Sequence, residues 1–174
     1  MTVRPTVQVG DPLLRARCRE IDDVRSPEVR RTATDLADTL DDWVRRTSYG
    51  RGIAAPQIGE SVRIVYSSLG EDRVLVNPTI TAFSTDTWEP WETCLSLSVE
   101  LFGKVRRSKW VEVEYRTLDG AFRRLRAEYD LAHLLQHEID HLDNVLAVDR
   151  MRPETMCMRA EFERRYRHES PYSR

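Results

Sequence analysis

Apolar residues recur at Val29, Ala33, Leu36, Ala37, Leu40 and Val44, a spacing that puts them on one face of a helix. Just before them, Ser26-Pro27-Glu28 offers a side-chain cap and a proline at the first helical position. A helix is predicted from there to about Arg46. A second stripe, Leu131, Leu134, Leu135, Ile139 and Leu142, predicts a helix over about 130–142, with Asp130 as its cap. Between the two helices the period falls to two. Val62 to Ser67 and Val74 to Pro78 read as strands, and Ile80 to Phe83 continues the sheet. Lys109 to Arg116 and Phe122 to Ala127 flank Asp119-Gly120, a hairpin signal. Val7 to Pro12 is an extended lead-in to a turn, Tyr49 to Gly59 a Gly-rich loop, and Glu154 to about His168 a last, charged amphipathic helix. Helix, strands, helix, helix is an α+β order, not an alternating βαβ one.

Composition narrows the class. The length of 174 residues suits one domain, spanning 1–174. A net charge of −2 argues against a nucleic-acid binder by bulk charge. No apolar run is long enough for a membrane span, and the start has no signal-peptide core. Three widely spaced cysteines make no disulfide framework, so a reducing, cytoplasmic setting is expected.

The chemistry concentrates in His137-Glu138-Ile139-Asp140-His141. On a helix, two imidazoles four residues apart share a face and can hold one metal ion, and the intervening carboxylate can move a proton from water. A catalytic site needs a third ligand and an open position. Cys94, within Trp91-Glu92-Thr93-Cys94-Leu95-Ser96, is the candidate, since a thiolate joins imidazole in holding Zn²⁺ or Fe²⁺. Cys18 and Cys157 lack such surroundings. In Gly50-Arg51-Gly52-Ile53-Ala54-Ala55-Pro56-Gln57, the glycines allow a close backbone approach to a ligand, and the Gln57 amide can donate to a developing oxyanion.

Together these three segments resemble the signatures of the peptide deformylases: Gly-x-Gly-x-Ala-Ala-x-Gln, Glu-Gly-Cys-x-Ser and His-Glu-x-x-His, in this order. Here they are Gly50–Gln57, Glu92–Ser96 and His137–His141, and the resemblance spans roughly residues 7 to 149. It implies an α+β fold with mixed or antiparallel sheets around a central metal-binding helix, an N-terminal helix and a C-terminal helix at about 154–168. It implies a metal-dependent hydrolase that removes the N-formyl group from formyl-methionyl nascent peptides. Cys94, His137 and His141 would bind one divalent ion, most often Fe²⁺ in that family, with Zn²⁺, Ni²⁺ or Co²⁺ able to replace it. Glu138 would be the general acid/base, and Gln57 and the Leu95 N–H would hold the formyl oxygen. Gly52 would bind substrate through its backbone, and Arg51, His133 and Leu134 would fall at the substrate side chain.

Several positions depart from the family pattern. Thr93 stands where the motif has glycine, which is harmless in extended backbone and costly at positive φ. Arg51 replaces a common aliphatic residue, His133 lies one turn before His137, and the usual proline after the cysteine motif is absent from Leu97 to Gly103. Asp140 is expected to pair with Arg106 or Arg107, with Glu92 an equal candidate for the same arginines. The departures leave the ligands intact and bear on substrate choice. One alternative is therefore deformylation of another N-formyl small molecule in specialised metabolism. A non-catalytic metal-binding relative is another, and a metalloprotease a third, which the cysteine ligand disfavours. Arg159, Arg164, Arg165 and Arg167 could touch ribosomal RNA, or form a solvated face with Glu161 and Glu163.

Overall fold

A computed structural model describes residues 2–170 of the chain. Its elements in order are α1 (Pro27–Thr47), β1 (Gly52–Ala54), β2 (Ile64–Ser67), β3 (Val74–Phe83), β4 (Thr87–Trp88), β5 (Trp91–Glu92), β6 (Leu101–Lys104), β7 (Arg107–Ser108), β8 (Trp110–Arg116), β9 (Phe122–Glu128), α2 (Tyr129–Leu142), α3 (Ala147–Arg150), β10 (Cys157–Met158) and α4 (Arg159–Arg165). Five strands form an antiparallel sheet in the order β1-β2-β3-β8-β9; β10-β6-β5 and β4-β7 make smaller antiparallel sheets. This is the α+β architecture expected. No helix among the described residues is long and apolar enough to cross a membrane.

Strand alternation decides which helix covers which face of the large sheet. Ile64 of β2 and Val76 of β3 pack with Leu36, Leu40 and Trp43 of α1. Their neighbours Val65 and Leu75 point the other way and pack with Ala132, Leu135, Ile139 and Leu142 of α2. Strands β2 and β3 are thus covered on both sides, which explains the unbroken apolar stretches there. Each large side chain so buried contributes roughly 1.5–3 kcal/mol. α1 begins as predicted: the Ser26 hydroxyl accepts from the Val29 N–H, and Pro27 follows. It ends at Ser48, which takes the left-handed conformation (φ 64°) that usually falls to glycine.

Several boundaries differ from the sequence reading. Val44 is exposed and Trp43 is buried instead, because the sheet lies slightly to one side of the predicted stripe. The segment read as a Gly-rich loop contains β1 and a 3-10 turn at Ala55–Ile58; three residues paired to β2 are too short for a periodicity to reveal. The strand predicted from Val62 starts at Ile64, and the two pieces around Pro78 are one bulged strand, β3. Asp130 does not cap α2. The helix starts directly from β9 with Glu128 at its cap position, and Asp130 lies inside the first turn. The C-terminal helix expected over 154–168 is cut to Arg159–Arg165. Pro153–Thr155 is a 3-10 turn, and Cys157 and Met158 pair with Phe102 and Leu101, so tertiary pairing takes the residues that an isolated helix would use.

Candidate metal centre and active site

Three elements deliver the polar residues to one cleft. β5 leads into Cys94, whose extended backbone (φ −140°, ψ 148°) precedes a 3-10 turn at Leu95–Leu97. The middle of α2 carries His137 and His141 one turn apart, their ring centroids 4.9 Å from each other. β1, at the open edge of the large sheet, runs alongside. The Cys94 Sγ lies 3.2 Å from His141 Nε2 and also receives the Gln57 Nε2 amide at 3.3 Å and the Ser96 N–H at 3.4 Å. One ligand atom from each of Cys94, His137 and His141 lies within 4.8 Å of the other two, and all three residues are buried. A thiol and two imidazoles sealed from water, with their ligand atoms facing one another, are costly unless an ion joins them. Their donor set fits a borderline-soft divalent ion such as Fe²⁺ or Zn²⁺.

Glu92 organises this cluster from behind. One carboxylate oxygen accepts from His137 Nδ1 at 2.7 Å, which leaves His137 Nε2 for the ligand cluster. The other oxygen faces His133 Nε2 at 2.9 Å. The Arg107 guanidinium reaches both oxygens, at 2.9 and 3.0 Å. Burial opposes the charge of Glu92, yet Arg107, His137 and His133 together hold its carboxyl well below the usual range. Arg107 also binds Asp140 at 2.5 Å, and Arg150 binds Asp140 from the other side at 2.7 Å. The choice left open by sequence is resolved: Arg107 takes both acids, Asp140 is structural, and Arg106 pairs with Glu89.

Glu138 leaves α2 beside the histidines and is buried, with Oε2 lacking a hydrogen-bond partner. Burial pushes its carboxyl up to about 7, the range of a proton carrier at neutral pH; a dication beside it would draw that value down. Opposite stands Gly52. A Cβ there would come within 2.8 Å of Glu138 Oε1 and 2.9 Å of Leu134 Cδ1, so only glycine lets β1 approach α2 this closely. Gln57 is fixed by the Ala54 N–H, which donates to its Oε1 at 2.9 Å and so aims Nε2 at the cluster. Leu95 holds the first position of its 3-10 turn, where the backbone N–H has no intrahelical acceptor. Thr93 is absent from the positive-φ residues and its hydroxyl donates to Leu101 O at 2.8 Å, so the motif departure there is harmless.

The cleft is lined by all the predicted substrate contacts, Gly52, Arg51, His133 and Leu134, together with Cys94, Leu95, His137 and Glu138. Gln57 contacts the cluster without lining the cleft.

The model of the polypeptide deformylase family matches residues 3–156. This chain belongs to that family. A peptide deformylase of Dictyoglomus thermophilum is 35% identical over 156 residues, 88% of this chain and 96% of that protein. The crystal structure of the peptide deformylase of Thermotoga maritima superposes with a TM-score of 0.80 at 30% identity, covering 88% of this chain and all of that one. A class I type b peptide deformylase from Acinetobacter baumannii, solved with Met-Ala-Ser bound, gives 0.77 at 29% identity over 86% of this chain and all of its own. Peptide deformylases use a catalytic metal, and Cys94, His137 and His141 form the candidate site in this member of the family.

Sequence reasoning missed three residues of the cleft. Glu92 opens the second signature, Glu92–Ser96, yet its only expected contact is an arginine; its place two residues before the ligand cysteine is the available signal. Tyr49 and Val99 also line the cleft. Val99 does so in a left-handed conformation (φ 56°), uncommon for a β-branched residue, in the stretch where the family's proline is missing.

Proposed function

We propose that the protein hydrolyses the N-formyl amide of nascent peptides that begin with formyl-methionine, releasing formate and a free amino terminus. The observation that carries this reading is the Glu138 carboxyl buried beside three convergent ligands, with the Gln57 amide held on the same cluster.

A divalent ion held by Cys94, His137 and His141, Fe²⁺ in our reading with Zn²⁺, Ni²⁺ or Co²⁺ acceptable to the same donors, supplies Lewis acidity that favours ionisation of water near neutral pH. Glu138 takes a proton from the attacking water and returns it to the departing amine. Gln57 Nε2–H and the Leu95 N–H donate to the formyl oxygen as it gains charge, worth about 3 kcal/mol for each well-placed donor. Glu92 keeps the His137 ring in one orientation through its Nδ1 bond. The peptide lies along β1. Arg51 O already accepts from the Ser68 N–H at 2.7 Å. By strand alternation the N–H and C=O of Gly52 therefore point off the open edge, free to pair with an extended substrate.

We place the enzyme in the cytoplasm, where such chains are made. Transient contact with ribosomal RNA through Arg159, Arg164, Arg165 and Arg167 has weaker support, because Glu161 and Glu163 already pair with these arginines. The test is formate release from formyl-Met-Ala-Ser by enzyme purified without oxygen and assayed for bound metal. Turnover that tracks metal content supports the reading; no formate from any N-formyl peptide at full metal loading refutes it.

A further inference from the structure

Both oxyanion donors are tied to one N-terminal segment. The Val7 N–H donates to Gln57 O and the Val9 N–H to Ser96 O, each at 2.8 Å. Between these two bonds the half-buried Gln8 side chain reaches the turn that carries Leu95. Its Nε2 shares two protons among Thr6 Oγ1 at 3.0 Å, Thr6 O at 3.2 Å and Leu95 O at 3.3 Å. Its Oε1 accepts from the Ser98 hydroxyl at 2.7 Å. One amide therefore bridges the beginning and the end of the 3-10 turn, Leu95 and Ser98, from 87 and 90 residues away in sequence. Gln57 Nε2 also meets Ser96 Oγ at 3.3 Å, which links the two donor groups to each other.

The turn is strained. Ser98 and Val99 are both left-handed, at φ 53° and 56°, a region that is costly for residues with a Cβ and most of all for β-branched ones. The bonds that close the turn run from the Leu97 and Val99 N–H groups to Cys94 O, at 3.0 and 3.2 Å, and from the Ser98 N–H to Leu95 O at 2.9 Å. Cys94 O and the Leu95 N–H belong to the same planar peptide unit. Whatever holds Ser98 and Val99 in place therefore also sets the direction in which the Leu95 N–H points.

We propose that Gln8 is a positioning residue for the oxyanion donors: its amide locks the strained turn from Leu95 to Val99 against the N-terminal segment and so fixes the aim of the Leu95 N–H at the formyl oxygen. The inference rests on the hydrolase reading above and adds a residue to it that lies outside all three motifs. Gln8 touches neither substrate nor metal ligand; it acts through Leu95 O and Ser98 Oγ. A donor is worth most when it needs no reorganisation as charge develops, so the loss of this brace falls on the transition state more than on the bound peptide.

The experiment measures kcat and KM separately for formate release from formyl-Met-Ala-Ser by metal-loaded wild type, Gln8→Met and Gln8→Glu, with bound metal determined in each. Methionine keeps the length and packing of glutamine without its amide. Glutamate keeps an oxygen for Ser98 and turns a second one against Leu95 O. Gln8→Met is expected to lower kcat about tenfold, short of the 10²–10³ that follows removal of a whole donor, with KM within about twofold and full metal content. Gln8→Glu should lose at least as much. A second readout does not depend on turnover: in the Zn²⁺-loaded protein, amide hydrogen exchange at Ser98 and Val99 should be at least about fivefold faster in Gln8→Met, with the amides of α1 unchanged. A kcat within about twofold of wild type in Gln8→Met, or unchanged exchange in the turn, overturns the proposal. So does a loss of kcat that is matched by lost metal or by an equal rise in KM. Metal-loaded wild type that releases no formate instead removes the hydrolase reading, and this inference with it.

Discussion

Glu92 and His137 are joined by a 2.7 Å hydrogen bond from ring Nδ1 to carboxylate Oε1, made across 45 residues of sequence. It fixes which imidazole nitrogen faces the ligand cluster. Glu92→Gln preserves the shape of the side chain but removes the charge that holds the ring. Metal affinity is expected to fall by about 10- to 100-fold, read by competition with a chromophoric chelator, with a native-like circular dichroism spectrum. Unchanged affinity would show that His137 keeps its orientation without the carboxylate.

Glu138→Gln should retain metal and fold, because Glu138 Oε2 has no hydrogen-bond partner to lose. Its turnover should drop by about 10²–10⁴, the usual worth of a placed proton carrier. Single-turnover formate release at saturating peptide measures this. A kcat close to wild type would assign the proton transfer to another group.

Gly52→Ala places a methyl group 2.8 Å from Glu138 Oε1 and 2.9 Å from Leu134 Cδ1. One side has to give, and the side that yields carries the catalytic carboxylate. The variant is expected to lose about 1–3 kcal/mol of stability and to fall further in kcat/KM than its destabilisation explains. Denaturant titration beside steady-state kinetics separates the two effects; normal kinetics would mean that β1 can move away from α2 freely.

Ser48→Gly tests the end of α1. Ser48 is exposed, sits at φ 64°, and caps the helix through its backbone N–H to Val44 O, which glycine retains. Removing the Cβ from a left-handed residue should stabilise the protein by about 1 kcal/mol. For a chain of this size that is a rise of roughly 2–4 °C in Tm. A lower Tm would show that the serine hydroxyl does something its neighbours do not reveal.

What could be read from the chain before its structure follows the range of the interactions involved. The cap of α1, the Asp119-Gly120 hairpin and the two ligand histidines are set by residues within a few positions of one another, and they were legible. Cys94 was legible because its motif accompanies two others in a fixed order. β1 was not, since Gly52–Ala54 becomes a strand only by pairing with β2. β10 reads as helix in the sequence for the same reason: its partner, β6, lies over 50 residues earlier in the chain. Within the site, the bonds from Glu92 to His133 and His137 span 41 and 45 residues. A glutamate's neighbours in sequence carry no trace of such contacts.

The brace behind Tyr49 has a practical side. This tyrosine lines the cleft, yet its hydroxyl is bonded to Glu163 of α4 and receives Arg167 Nη1 at 2.8 Å, while its ring meets Phe102 edge-on. Phe102 in turn stacks on Phe162 at 4.0 Å. The segment shared with the family model stops at residue 156, before any of these α4 contacts. A shortened version trimmed to that common segment would keep every metal ligand and every motif, and would still lose the rear support of one cleft wall. Expression work that treats the last helix as a dispensable tail would thus be remodelling the active site from the outside.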